Sequence, residues 1–371
     1  MYKMQLLEIS FKPRDIRGRG TACWDVEGMA EEELLIKDSW ISQGRTPEYS
    51  YFEGAASMPG LADPMDRDGE VTSTAAFHHD GQQKPKGFRR TKHRLVFTRH
   101  GLLICKFNTC LEFLWALIDA IDTHEKLVEQ GVLHRDVSIA NILIIKIPTI
   151  PWHSILIDLD LMKPSRVDEV DSAFGAGTRE SQSLNVLVRC TDPRMSLPYS
   201  YLDDLESFFW VFCIVSIGYK SNGKAEPRPP WIKRWRHADM HRASVAKSVF
   251  FRFQPEIRDI EFPVSHSWGK HIQQLFWDLY DFFGDMCRHP ARIAVGVSKI
   301  TAEELFNKRV EHYATVRGYI KKAIDAIEAE TSPEKRESEH LPPEESAPAG
   351  RREASPPSTS TTVTNQDSPS G

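Results

Sequence analysis

"GVLHRDVSIANILI", residues 131–144, holds His134-Arg135-Asp136, then Asn141 five positions after the aspartate, and runs on into apolar residues. Upstream, "CLEFLWALIDAIDTHEKLVEQG" (110–131) places Leu111, Leu114, Leu117 or Ile118, Ile121 and Leu127 or Val128 along one helical face, with Gly131 suited to a C-terminal cap. Downstream, "NILII" and "ILIDLDL" are apolar runs of strand length separated by a Pro-containing turn. The order helix, loop, strand, strand brings Asp136, Asn141 and Asp158 together on one hairpin.

Three such residues fit the transfer of a phosphoryl group. That chemistry needs a carboxylate to orient the attacking hydroxyl and accept its proton, oxygen ligands for magnesium, and a cation on the nucleotide phosphates. Asp136 is placed as the first. Asn141 and Asp158 are placed as ligands for Mg2+, a hard cation that takes carboxylate and amide oxygens. A His-Arg-Asp tripeptide alone is weak; its weight comes from the helix before it and the two strands after it.

The rest of the chain is consistent with such an enzyme. It has 371 residues, 40% hydrophobic and 27% charged, as in an ordinary globular protein with a sizeable core. A formal net charge of −5 gives no reason to expect nucleic acid or a membrane as partner. Two basic runs, "KPKGFRRTKHR" (84–94) and "WIKRWRHADMHR" (231–242), read as solvated faces. Six scattered cysteines without a CxxC pair, and an N-terminus without a long apolar core, point to an intracellular protein, cytoplasmic or nuclear. The longest apolar run, "FFWVFCIVSIGY" (208–219), is too short to span a bilayer and reads as a buried helix. Asp203 and Glu206 are expected to form a capping box at the start of that helix.

The pattern changes near residue 100 and again near 326. Short β-like runs such as "EELLIK" and "HRLVF" precede the first boundary, and helical periodicity follows it. From Ala326 the chain is rich in Pro, Ser, Thr and Glu and reads as a disordered tail. The expectation is an α+β, bilobal protein-kinase-like fold: a small β-rich lobe (1–100), a larger helical lobe (101–325) and a tail (326–371).

"HRDVSIANILI", "LIDLDL" and "DDLESFFWV" resemble the fungal-type protein kinase domain family, a divergent branch of the eukaryotic protein-kinase-like fold. That family runs HRD-[IV]-S-x-x-N-I-L, then L-I-D-F-D-L, then a D-L-E-S-F-F helix; "LLIKDSW" and "HRLVFTRHG" match two further phrases of it. The resemblance covers most of residues 15–285. It implies that Lys37 holds the α- and β-phosphates of ATP, and that Glu48, or less favourably Glu53, pairs with Lys37 from a small-lobe helix. "GRGTACW" would be the glycine-rich loop, with Gly18 and Gly20 letting backbone amides approach the phosphates. Arg135 would support the catalytic loop or meet a phosphate on the segment carrying Thr178, Ser181, Ser183 and Thr191. Asp204 would anchor the catalytic-loop backbone, and Asp160 would cap a loop rather than bind metal.

Ser138 stands where most protein kinases carry a lysine and is a feature of this family. It can hydrogen-bond but cannot offset charge on the transferred group, leaving that to the metals or Lys163; a lysine at 138 is expected to be tolerated or activating. The family phrase R-T-G-T-x-x-F-M-[AS] is matched at "RCTDPRMS" (189–196), one residue short, which implies a shortened shelf for a peptide substrate. The leading reading is an ATP- and Mg2+-dependent protein Ser/Thr kinase with a protein substrate. A small-molecule kinase of the aminoglycoside or choline type and a pseudokinase scaffold are the alternatives, and the oligomeric state is open.

Overall fold

The computed structural model describes residues 5–11, 21–27, 33–42, 50, 66–70, 90–98, 101–147, 150–159, 163–164, 177–252 and 264–331. Residues Met1–Ala329 form one compact unit; of a second, Glu330–Gly371, only Glu330 and Thr331 are described.

The N-terminal part is an antiparallel sheet of β1 (Gln5–Phe11), β2 (Ala22–Glu27), β3 (Glu33–Ser42), β4 (Asp66–Glu70) and β5 (Arg90–Thr98), in the order β1-β2-β3-β5-β4. Strand alternation decides which side each residue serves. Val26, Leu34, Ile36 and Val96 form a small cluster on one face. Leu35 pairs with Phe97 and Lys37 with Leu95 on the other, and Leu95 and Phe97 belong to the main core. Lys37 therefore stands on the face turned toward the helical part. Asp38, on the opposite face, is bound by Arg94 (2.7 and 2.8 Å) and Lys92 (2.8 Å). Burial favours its neutral form, but those two cations outweigh burial and hold the carboxyl below its usual range. The end of the first basic run is thus half of an ion-pair cluster, not a purely solvated face.

The larger part begins with β6 (Leu102–Leu103) and α1 (Cys110–Glu129). Thr109 caps α1 by accepting from the Glu112 N–H at 3.1 Å. At its other end Gly131 has φ +78°, the left-handed turn at which a helix commonly stops. Of the expected face, Leu114, Leu117, Ile118, Ile121, Leu127 and Val128 are buried, while Leu111 is half-buried. Then come β7 (Val132–Leu133), β8 (Ile142–Ile147), β9 (Ile150–Leu156) and β10 (Lys163–Pro164), with β8 and β9 the antiparallel hairpin the sequence predicts.

Two helices follow, α2 (Leu184–Arg189) and α3 (Tyr201–Gly218). Every residue of α3 except Leu202 is buried, so the apolar run is the central helix of the core. Its capping box joins Ser200 and Asp203, not Asp203 and Glu206. The register follows from Ser200, whose hydroxyl lies at the helix start and leaves Asp203 three residues on. Around α3 pack α4 (Met240–Phe250), α5 (Gly269–Met286), α7 (Ala302–Asn307) and α8 (Arg309–Thr331), while α6 (His289–Ala294) lies against α5 and the turn 193–195. Helix α8 runs past Ala326, where the tail was expected to begin. Ala326, Glu328 and Ala329 are good helix formers, and Ile327 packs against the core. Residues 332–371 lie outside the described residues. The whole is α+β, a small antiparallel sheet joined to a larger helical part, and no described helix is long and apolar enough to cross a membrane.

Candidate active site

The loop between β7 and β8 carries the candidate residues, and α3 holds it from below. Asp204, fully buried, accepts from the backbone N–H groups of His134 (3.0 Å) and Arg135 (2.9 Å). It also contacts His124 Nε2 at 2.9 Å and accepts from the Tyr199 hydroxyl at 2.6 Å. Burial pushes its carboxyl up, but His124, His134 and Tyr199 bring it below the usual range. Two of the four partners are the catalytic-loop backbone itself, as expected of an anchor.

The His134 ring is the second brace. Its Nε2 donates to the Ile157 carbonyl at 3.1 Å, and its Nδ1 accepts from the Asp136 N–H at 3.3 Å. Burial is the main cause holding this imidazole below its ordinary value, which suits a neutral ring with one donor and one acceptor. His134 therefore ties the residue before Asp158 to Asp136. Arg135 has φ 69° and Asp158 has φ 64°, the two non-glycine left-handed residues among those described. Such backbone is strained and persists where surrounding contacts over-determine it, commonly at functional sites.

Asn141 donates from Nδ2 to the Asp136 carbonyl at 2.8 Å, and its own carbonyl accepts from the Ile157 N–H at 3.0 Å. Asp158, just past β9, forms an ion pair with Lys37 Nζ at 2.8 Å. Lys37 and Asp158 are 121 positions apart, so this contact joins the sheet to the helical part. The loop thus brings together Lys37, Asp136, Asn141 and Asp158. Among the described residues no group of three His, Cys, Asp or Glu side chains is placed to hold a metal ion. One carboxylate and one amide oxygen suit magnesium, which keeps several waters and takes other ligands from phosphates. Gly18, Gly20, Glu48, Glu53 and Asp160 lie outside the described residues.

The profile of the family described as fungal protein kinase matches residues 1–72 and 62–216, more than half of the 371-residue chain. The chain belongs to the fungal protein kinase family. No curated protein matches it. Membership places it among the protein kinases, whose substrates are ATP and a protein.

In this fungal protein kinase the segment beginning at Gly177 sits against the loop that carries Asp136. The Thr178 N–H donates to Asp136 Oδ1 at 2.7 Å, and Gly177 has φ +103°. A Cβ at Gly177 would lie 3.0 Å from the Arg135 carbonyl oxygen and 3.3 Å from Asp136 Oδ1, so a bare backbone is needed there. Gly177-Thr178, with Ser183 five positions after Thr178, takes the spacing of G-T-x-x-F-M-[AS], with Ser181 and Gln182 in place of Phe and Met. The stretch 189–196 is the end of α2 and the turn after it. The Gly-Thr pair was legible in the sequence, but the stronger-looking Arg189 and Ser196 drew the match away from it.

The segment 182–185 is held from α3 and α4. Asp203 accepts from Ser183 Oγ (2.5 Å), Asn185 Nδ2 (3.1 Å) and the Ser200 N–H (2.7 Å), and burial still raises its carboxyl to about 6. Glu206 accepts from the Leu184 N–H (2.7 Å) and Trp210 Nε1 (2.8 Å). The Lys247 ammonium lies 4.2 Å over the Trp210 ring and donates to the Gln182 carbonyl at 2.5 Å. Burial drives both members of this pair toward their neutral forms, Glu206 upward and Lys247 downward. A cleft lined by Asp136, Thr178, Ser181, Gln182 and Tyr199 opens beside the carboxylate. Arg135 lies 4.9 Å over the Tyr199 ring, which places it in the support of the loop.

Ser138 is 1% exposed, and among the described residues its hydroxyl has no hydrogen-bond partner.

Proposed function

We propose that the chain transfers the γ-phosphoryl group of Mg-ATP to a Ser or Thr hydroxyl of a protein, with Asp136 as catalytic base. The observation that carries this is the Asp136 carboxylate, held by the Thr178 N–H at 2.7 Å beside a cleft, with Lys37 and Asp158 paired at 2.8 Å nearby. Magnesium and ATP, when bound, supply the transferable group and neutralise its developing charge. Asp136 orients the acceptor hydroxyl and takes its proton. Lys37 faces the α- and β-phosphates, Asn141 and Asp158 hold the metal through oxygen, and Arg135 keeps Asp136 in place from the loop backbone.

Gly18 and Gly20 cradle the phosphates and Glu48 steadies Lys37 in this proposal, on the strength of the family pattern. Residues 1–100 then serve as the nucleotide-gripping lobe and 101–331, to the end of α8, as the catalytic and substrate lobe.

The test is transfer of labelled phosphate from ATP to a mixed panel of proteins, choline and aminoglycosides, with Asp136→Asn and Asp158→Ala as controls. Labelled Ser or Thr in protein, lost in both variants, supports the proposal. Label in a small molecule only, or no turnover with magnesium-independent nucleotide binding, would overturn it.

A further inference from the structure

The second basic run and the residues flanking it lie against the segment that follows Gly177. Arg179 Nη1 donates to the Ala238 carbonyl at 3.1 Å, Arg228 pairs with Glu180 at 3.1 Å, and Lys247 donates to the Gln182 carbonyl at 2.5 Å. The segment so fastened, 178–182, begins with the N–H that binds Asp136 at 2.7 Å. Residues 228–247 and the Asp136 carboxylate therefore share one support.

This run buries its apolar members and exposes its cations. Ile232 and Trp235 are 0% and 1% exposed, while Lys233, Arg234 and Arg236 are exposed around the same short turn. Among the described residues none of these three makes a side-chain hydrogen bond or ion pair. The acid within the run, Asp239, is committed elsewhere: it accepts from the His241 and Arg242 N–H groups at the start of α4 and pairs with Arg242 at 3.8 Å. Like charges this close repel, and a surface kept only for hydration intersperses both signs. Three such cations on a chain of net charge −5 are a local exception, and the turn that carries them leads into Ala238, whose carbonyl Arg179 meets from the segment bordering the cleft.

We infer that Lys233, Arg234 and Arg236 form a recognition ridge for protein substrates carrying acidic residues beside the phosphorylated hydroxyl. The inference rests on the kinase reading and adds the substrate class. Positive charge at the rim of a site attracts and orients a partner of opposite charge more than it changes the chemistry. An acidic peptide fits better than nucleic acid, because three cations neutralise few phosphates and the rest of the molecule is negative.

The test uses the full chain and fluorescein-labelled peptides with one central serine flanked by Asp and Glu, by Gln, or by Lys, together with a single-stranded oligonucleotide. Anisotropy should show the acidic peptide bound roughly tenfold or more tighter than the Gln peptide, by an amount that shrinks with salt. Combined Lys233→Gln, Arg234→Gln and Arg236→Gln should remove that preference and raise KM for the acidic peptide. Equal binding of the acidic and Gln peptides, a preference that survives the triple substitution, or tighter binding of the oligonucleotide overturns the inference. Preference in binding without phosphate transfer upholds the ridge and removes the kinase reading; transfer without acidic preference does the reverse.

Discussion

Asp136 and Thr178 are joined by a 2.7 Å hydrogen bond across 42 positions of sequence, from the Thr178 backbone N–H to the Asp136 carboxylate. The residue before Thr178 is Gly177, whose missing side chain is what lets the backbone come that close. The carboxylate is thereby fixed by the same segment that borders the cleft.

Gly177→Ala should leave the fold standing and impair transfer. The added methyl meets the Arg135 carbonyl oxygen at 3.0 Å in a left-handed residue, so the Thr178 N–H must shift off Asp136. Misplacement on this scale costs up to about 100-fold in rate. Steady-state transfer assays beside a thermal melt check it; an unchanged kcat would show that the bond to Thr178 does not position Asp136.

Asp204→Ala should unfold or nearly unfold the chain. Two backbone N–H groups, the Tyr199 hydroxyl and His124 lose a buried charged acceptor together. Breaking such a network costs about 3 to 5 kcal/mol. Urea denaturation measures the difference, and a loss under about 1 kcal/mol, the worth of one ordinary hydrogen bond, would contradict the network.

Removing Lys247 alone should be worse than removing it with its neighbour. Lys247→Met leaves Glu206 buried without its cation and is expected to cost about 3 kcal/mol. Glu206→Gln keeps an acceptor for the Leu184 N–H and Trp210 Nε1, so the double variant should recover part of that loss. Melting temperatures of the two singles and the double form the cycle; strict additivity would mean the groups are not coupled through Trp210.

Asp203 sets a pH dependence. Its folded value of about 6 lies above the ordinary carboxylate value, so the folded chain binds the extra proton. Its contribution to stability is complete below about pH 4 and is lost as pH rises through about 6, amounting to about 3 kcal/mol. Asp203→Asn does not titrate. Between pH 4 and 7 the wild type should lose stability relative to that variant, as followed by urea denaturation across pH; parallel profiles would refute the shift.

Ser138→Ala should be neutral or slightly stabilising, because it removes a buried hydroxyl that has no partner. Ser138→Lys should lower the melting temperature, because it buries an ammonium in a position 1% exposed. A lysine variant as stable as wild type would show that the loop has room for the longer side chain.

How far the sequence reaches can be judged from particular residues. Periodicity found α1 and the buried helix α3, and Gly131 marked the turn between α1 and the loop. Spacing put Asp136, Asn141 and Asp158 on one hairpin, because the hairpin itself is a short-range structure. The capping register of α3 was read three residues late, since Ser200, Asp203 and Glu206 all suit a helix start and only the backbone turn chooses among them.

The remaining decisions came from contacts between distant residues. The pairing of Lys37 with Asp158, the seating of Thr178 on Asp136, and the enclosure of Ser138 leave no periodic trace in the chain. The sequence by itself determined the lobed α+β plan and the identities of the polar residues, because those follow from local spacing and hydrophobic pattern. Only the tertiary structure decided that Gly177-Thr178 is the segment on the Asp136 carboxylate. Packing over long separations selects one partner from several of equal local merit.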